Sequence, residues 1–221
     1  AHPSEMTMLT HRARADGGRA GITCGGITLM DFDTIIAGGT VVHADKTEKA
    51  DVAIVGERIA KVAKGLAKKA KAARVIDAKG CYVIPGGVDA HCHLDQPMTP
   101  PARMADDFDT GTRAAACGGT TTVIPFAAQE KGHTLRAAVD DYHRRAEGKA
   151  HVDYAFHLIV SDPTQQVLNE ELPALIRAGY TSFKIYMTYD DLKLSDREIL
   201  EVMDVARREG AMVMVHAENS D

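Results

Sequence analysis

Two histidines separated by one residue, His91 and His93, close a short apolar run, GGVDAHCHLD. On a strand, residues i and i+2 share a face, so both imidazoles project to one side together with Asp89, and Cys92 points away. Neutral imidazole nitrogen is a ready ligand for a divalent ion such as zinc, and two rings fixed by one strand would make part of a metal site. Two further residues suit the same chemistry. Lys184 lies inside an apolar run, TSFKIYMTY. A charged amine is costly to bury there, so it needs either an acidic partner or a modified amine. A deprotonated lysine can add carbon dioxide and become a carbamate, an anion able to bridge two metals. His216 ends another apolar run, MVMVHAEN. The remaining histidines offer less: His133, His143 and His151 fall in helical or loop contexts, and His157, inside a strand-like run, reads as hydrogen-bonded packing.

These residues need a scaffold that brings them together. Strand-like runs occur at 86–91, 120–125, 153–160, 181–186 and 211–216, with starts about 30 residues apart and helical patterns between them. That alternation predicts right-handed βα units around a parallel sheet. Ser195-x-x-Glu198 is a capping box ahead of Ile199, Val202, Met203 and Ala206, and Gly210 marks the stop. Thr134 caps a helix whose buried stripe is Leu135, Ala138, Val139 and Tyr142. Cys117-Gly118-Gly119 ends the first helix. Asp162-Pro163 starts another, which Pro173 is expected to divide into two short helices. No G-x-G-x-x-G follows the first strand of the series, so a dinucleotide fold gains nothing. The α/β pattern fits either an open doubly wound sheet or about five of the eight strands of a TIM-type barrel. In the barrel, His91, His93, Lys184 and His216 would collect at the C-terminal strand ends, where chemistry gathers.

Residues 30–85 have a different character. Short β-type segments at 34–37, 52–55, 58–62 and 74–76, separated by glycine turns and a lysine-rich loop, predict a small antiparallel module ending near Pro85. Residues 1–29 carry no periodic pattern and no apolar signal core, and are expected to be a disordered leader or extension.

The chain has 221 residues, 45% hydrophobic and 26% charged, with a formal net charge of -5. That acidic balance gives no support to nucleic-acid binding, and no apolar run approaches a membrane span of about 18 residues. Four cysteines without a C-x-x-C pair suggest no disulfide framework and a reducing, cytoplasmic setting.

The segments DTIIAGGTVV, GCYVIPGGVDAHCHLD, FKIYMTY and VHAEN together resemble the cyclic amidohydrolases, most closely the hydantoinase/dihydropyrimidinase branch, over residues 30–221. The resemblance implies a (β/α)8 barrel with a β-sandwich built from both chain ends, and homotetramers. It also implies a binuclear centre of zinc, with manganese or cobalt as substitutes. His91 and His93 would hold one metal, Lys184 as an N6-carboxylated lysine would bridge both, and His216 would bind the second. Tyr189 matches the family tyrosine that hydrogen-bonds the oxyanion, and Asp89 would support the metal site. A metal-bridging hydroxide would then attack a cyclic amide. At position 95, on the substrate rim, dihydroorotases carry an arginine that holds a substrate carboxylate, and allantoinases carry asparagine. Asp95 instead implies a neutral cyclic ureide or imide, with allantoinase or dihydroorotase-type activity as the alternative.

By the same resemblance, the family's fifth metal ligand, a histidine, and its proton-shuttling aspartate belong to later strands, beyond Asp221. The chain is therefore expected to be an incomplete piece of the enzyme, inactive alone. A different class of reading is a non-catalytic dihydropyrimidinase-like scaffold or regulatory fragment. Retention of all four metal-type residues argues against it.

Overall fold

A computed structural model describes residues 31–219; the expected leader at 1–29 lies outside the described residues. The chain divides into two compact units between Pro85 and Gly86.

The first unit is all β apart from one 3-10 turn at Leu66–Lys68. Its strands are β1 (Phe32–Ala37), β2 (Thr40–Val42), β3 (Thr47–Lys49), β4 (Asp51–Val55), β5 (Arg58–Ala63), β6 (Ala72–Asp77) and β7 (Tyr82–Val83). They form a four-stranded sheet ordered β5-β4-β1-β6 and a three-stranded sheet ordered β3-β2-β7. The expected antiparallel module is in fact mixed. β1 runs parallel to β6 and β2 parallel to β7, because each of those pairs joins segments distant in sequence rather than through a hairpin. Ile35, Ala53 and Leu66 form one core; Val41, Ala50 and Val52 form another. The buried Asp51 is satisfied by backbone donors: Gly38 N–H gives to its Oδ1 (2.8 Å) and Ala67 N–H to its Oδ2 (3.1 Å).

The second unit alternates strand and helix: β8 (Gly87–Cys92), α1 (Phe108–Cys117), β9 (Thr120–Ala128), α2 (Leu135–Ala146), β10 (Asp153–Tyr154), β11 (His157–Ile159), α3 (Leu172–Arg177), β12 (Ser182–Tyr186), α4 (Asp196–Glu209) and β13 (Met212–His216). All the strand pairs are parallel. β9 carries β8 on one edge and β10 then β11 on the other, followed by β12 and β13. The order in space follows the order in the chain without reversal. A doubly wound sheet would reverse at a switch point, so the unit is a curled parallel half-barrel.

The single strand expected at 153–160 is split in two, and the cause is Pro125. β10 pairs with Thr122 and Val123, and β11 with Phe126 to Ala128; the gap falls opposite Ile124-Pro125. A proline has no N–H for the ladder. On the other edge of β9, the β8 register shifts between Asp89 and Cys92, where Cys92 pairs with Pro125.

The helices follow their local signals. Ser195 and Glu198 form the capping box of α4, and Gly210 ends it with φ 78°. Thr134 Oγ1 accepts from Ala137 N–H at the start of α2. Pro173 does not break its segment into two helices. A wider π-type turn over Val167–Glu171 runs directly into α3, which places the proline in the first turn, where a missing N–H costs least.

Register separates the two faces of the half-barrel. Ala127, Leu158, Phe183 and Ile185 belong to the main core, which also holds Val139, Tyr142, Leu172, Leu175, Val202 and Val205 from the helical segments. The alternate residues Phe126, Ala128, Ile159, Tyr186 and Met214 pack with one another on the opposite, inner face.

Candidate functional site

The inner face carries the residues singled out by type. Ile159, Lys184 and Met214 are register partners across β11, β12 and β13, and Tyr186 is the partner of His216 one pleat further on. Lys184 and His216 therefore share a face on adjacent strands, two residues apart along the strand direction. At the other edge, the His91 and His93 rings lie 5.7 Å apart, and both rest on Phe126, at 4.7 and 5.1 Å. Phe126 belongs to the inner-face cluster, so the alternation that puts both histidines on one side holds.

Lys184 is only 8% exposed. Among the described residues no carboxylate reaches its amine; Nζ lies over the Tyr186 ring, 5.3 Å from its centroid. An aromatic face attracts an ammonium but does not replace a counter-ion. The acidic partner allowed for by the sequence is thus not among the described residues, and the amine is left available for chemistry.

Each outlying histidine has one ring nitrogen engaged. His93 Nδ1 is 2.6 Å from Gln96 Oε1. His216 Nε2 is 2.9 Å from Glu218 Oε2, and because a carboxylate only accepts, Nε2 is the donor and Nδ1 is left without a hydrogen-bond partner among the described residues. Asp89 accepts the His91 backbone N–H through Oδ1 (3.1 Å), and so braces the strand rather than an imidazole. These side chains fit a divalent metal: imidazoles with one nitrogen tied and the other without a partner, and on the same face of the sheet a buried amine without a counter-ion among the described residues. Among the described residues no three His, Cys, Asp or Glu side chains are gathered closely enough to hold an ion. A shared centre would have to recruit Lys184.

Tyr189 stands just past β12 at φ 70°, a left-handed backbone that is uncommon for a non-glycine residue. Its carbonyl accepts from Leu192 N–H (2.8 Å) and Lys193 N–H (2.7 Å), which holds the turn. Its ring lies 5.1 Å from that of His216, and its side chain is exposed. Tyr186, by contrast, is buried and stacks on His216 at 5.4 Å; burial raises its phenol pKa.

Asp95 is also left-handed, at φ 49°. Arg145 Nη1 donates to its carbonyl (3.0 Å) and lies 3.5 Å from its carboxylate, while Arg145 Nε donates to Asp141 (2.6 Å). The Asp95 carboxylate is therefore already matched by a guanidinium. His157 is buried and uses both nitrogens: Nε2 donates to Ala90 O (2.9 Å), which leaves Nδ1 to accept from Ser182 Oγ (2.6 Å). Burial lowers its pKa, which suits a neutral ring. Gln96 and Arg145 were missed in the sequence because nothing in their own spacing reveals contacts made through a sharp turn.

The amidohydrolase family profile matches residues 82–221. The chain belongs to that family. It is 46% identical over 194 residues to a D-hydantoinase of Streptomyces coelicolor, covering 86% of this chain and 41% of that protein. It is also 46% identical over 189 residues to the D-hydantoinase of Geobacillus stearothermophilus, covering 85% and 39%. A solved D-hydantoinase structure superposes with a TM-score of 0.81 at 44% identity, covering 86% of this chain and 41% of that one. The chain thus spans about two fifths of the length of these family members.

Proposed function

We propose that this chain supplies the first part of the metal centre of an enzyme that hydrolyses the amide bond of a neutral cyclic ureide or imide, such as a hydantoin or a dihydropyrimidine. The observation that carries the reading is Lys184: a buried amine without a counter-ion, on the inner face between a histidine pair and a third histidine. The similarity to D-hydantoinases supports the substrate class. His91 and His93 would hold one divalent ion and His216 a second, zinc being favoured by the imidazole donors. Lys184 would join the two after its neutral amine adds to carbon dioxide and loses a proton, giving an anionic carbamate. When bound, the metals supply Lewis acidity to the amide carbonyl and make water a nucleophile near neutral pH.

The protein's own residues would position the ring. Tyr189, held by its left-handed turn, would donate its phenol O–H to the oxygen that becomes negative. Asp95, neutralised by Arg145, leaves no unmatched cation at that position to select a substrate carboxylate. Asp89 keeps the His91 backbone in place. We read residues 30–85 as part of a β-sandwich and residues 86–221 as the barrel portion, in a cytoplasmic homo-oligomer. Among the described residues, no helix is long and apolar enough to cross a membrane.

The test has two stages. The chain itself should take up zinc in competition with a chromophoric chelator, and His91→Ala should remove the ion held by the histidine pair. The protein carrying this segment should then hydrolyse hydantoin, dihydrouracil or succinimide with zinc added. A preference for dihydroorotate over all three neutral rings would sink the substrate assignment.

A further inference from the structure

His93 and Gln96 lie outside any regular element, yet the carboxamide returns to the imidazole at 2.6 Å. Three anchors make that return possible. Leu94 is buried, and a Cβ at Gly111 of α1 would overlap it, so the glycine is what seats the leucine. Asp95 takes the left-handed conformation, with its N–H donated to Asp106 O (3.0 Å). Arg145, itself fixed by Asp141, grips the Asp95 carbonyl. The backbone therefore reverses at Asp95 and delivers Gln96 Oε1 to His93 Nδ1.

A carboxamide oxygen only accepts, so the His93 proton must sit on Nδ1 and the lone pair on Nε2. A neutral imidazole free in water prefers the opposite tautomer, with the proton on Nε2, which would blunt that nitrogen as a ligand. We propose that Gln96 is a positioning residue that fixes His93 as the Nδ1–H tautomer and so presents Nε2 to a divalent metal. The inference rests on the metal-site reading above. Partners of this kind around ligating histidines are worth roughly 10–100-fold in metal affinity.

The first measurement needs no metal. In the metal-free chain labelled with 15N-histidine at pH 8, His93 is identified by the resonance lost in His93→Gln, and long-range 1H–15N correlation reads its tautomer. Wild type should show Nδ1–H. Gln96→Met should move toward Nε2–H, and Gln96→Glu should retain Nδ1–H because a carboxylate accepts as well. In zinc competition, Gln96→Met should bind about 10–100-fold more weakly, with Gln96→Glu restoring wild-type affinity. An Nε2–H tautomer in wild type would overturn the proposal, and so would a Gln96→Met chain unchanged in both tautomer and zinc affinity. A wild-type chain that takes up no zinc would sink the metal reading instead, and the tautomer result would still judge Gln96.

Discussion

His157 on β11 donates to the Ala90 carbonyl on β8 across the intervening strand β9, at 2.9 Å. The bond spans the place where β10 and β11 break off opposite Ile124-Pro125 on one edge of β9 and the β8 register shifts on the other, one residue before His91. A side chain here does the work of a missing ladder bond, and it fixes the segment that carries the histidine pair. Replacing His157 by Phe fills the space but leaves the Ala90 carbonyl and the Ser182 hydroxyl without their partner. The expected cost is about 1–3 kcal/mol in urea unfolding. His157→Gln, whose carboxamide N–H can sit near the position of Nε2, should recover part of it. Equal stability of the Phe variant and wild type would refute the bracing role.

The turn that follows His93 has its own signature. Asp95 adopts φ 49°, which aspartate and asparagine tolerate and β-branched residues do not. Asp95→Asn should leave stability within about 0.5 kcal/mol of wild type, as for an ordinary surface change. Asp95→Val should lose about 1–2 kcal/mol from backbone strain alone. Denaturation midpoints of the two variants decide the matter, and a Val variant as stable as the Asn variant would show that the turn relaxes freely.

The residues with distinctive chemistry were readable from type and spacing, because alternation on a strand places His91 and His93 together without any tertiary information. The βα rhythm, the α4 capping box and its glycine stop were readable for the same local reason. The strand rhythm alone left a half-barrel and a doubly wound sheet both open, since strand order is a property of long-range pairing; the family resemblance pointed to the barrel, as found. The parallel β1–β6 and β2–β7 pairs were not readable, nor was the split opposite Pro125, whose effect is felt on neighbouring strands. Gln96 and Arg145 escaped because both act through a left-handed turn at a non-glycine residue, which no residue pattern announces.

The N-terminus of α4 predicts a pH dependence. Ser195 Oγ and Ser195 N–H both donate to Glu198 Oε2, at 2.7 Å, and these bonds lower the Glu198 pKa below the ordinary 4.5. A carboxylate with a depressed folded-state pKa stabilises fully above its unfolded value and loses that contribution as pH falls through the folded one. Stability should therefore decline below about pH 4.5, and Glu198→Gln should flatten part of that decline. Ser195→Ala should cost about 1 kcal/mol at pH 7. Urea titrations at pH 7 and at acid pH give both readings. An unchanged acid slope in Glu198→Gln would exclude this pair as a source of the dependence.

Lys184 separates stability from function most sharply. Its amine is buried over the Tyr186 ring with no carboxylate in reach among the described residues, an arrangement that the metal-free fold has no reason to favour. Lys184→Met keeps the length of the apolar stem and removes the amine, so the metal-free chain should unfold at the same or a higher temperature than wild type. The same substitution removes the amine that would become a carbamate between the His91–His93 pair and His216. Zinc uptake should fall from two ions to one or none, and a carbamate carbon signal seen with 13C-bicarbonate in wild type should vanish. A Lys184→Met chain that is less stable without metal yet binds two zinc ions would reverse the assignment and make Lys184 a packing residue.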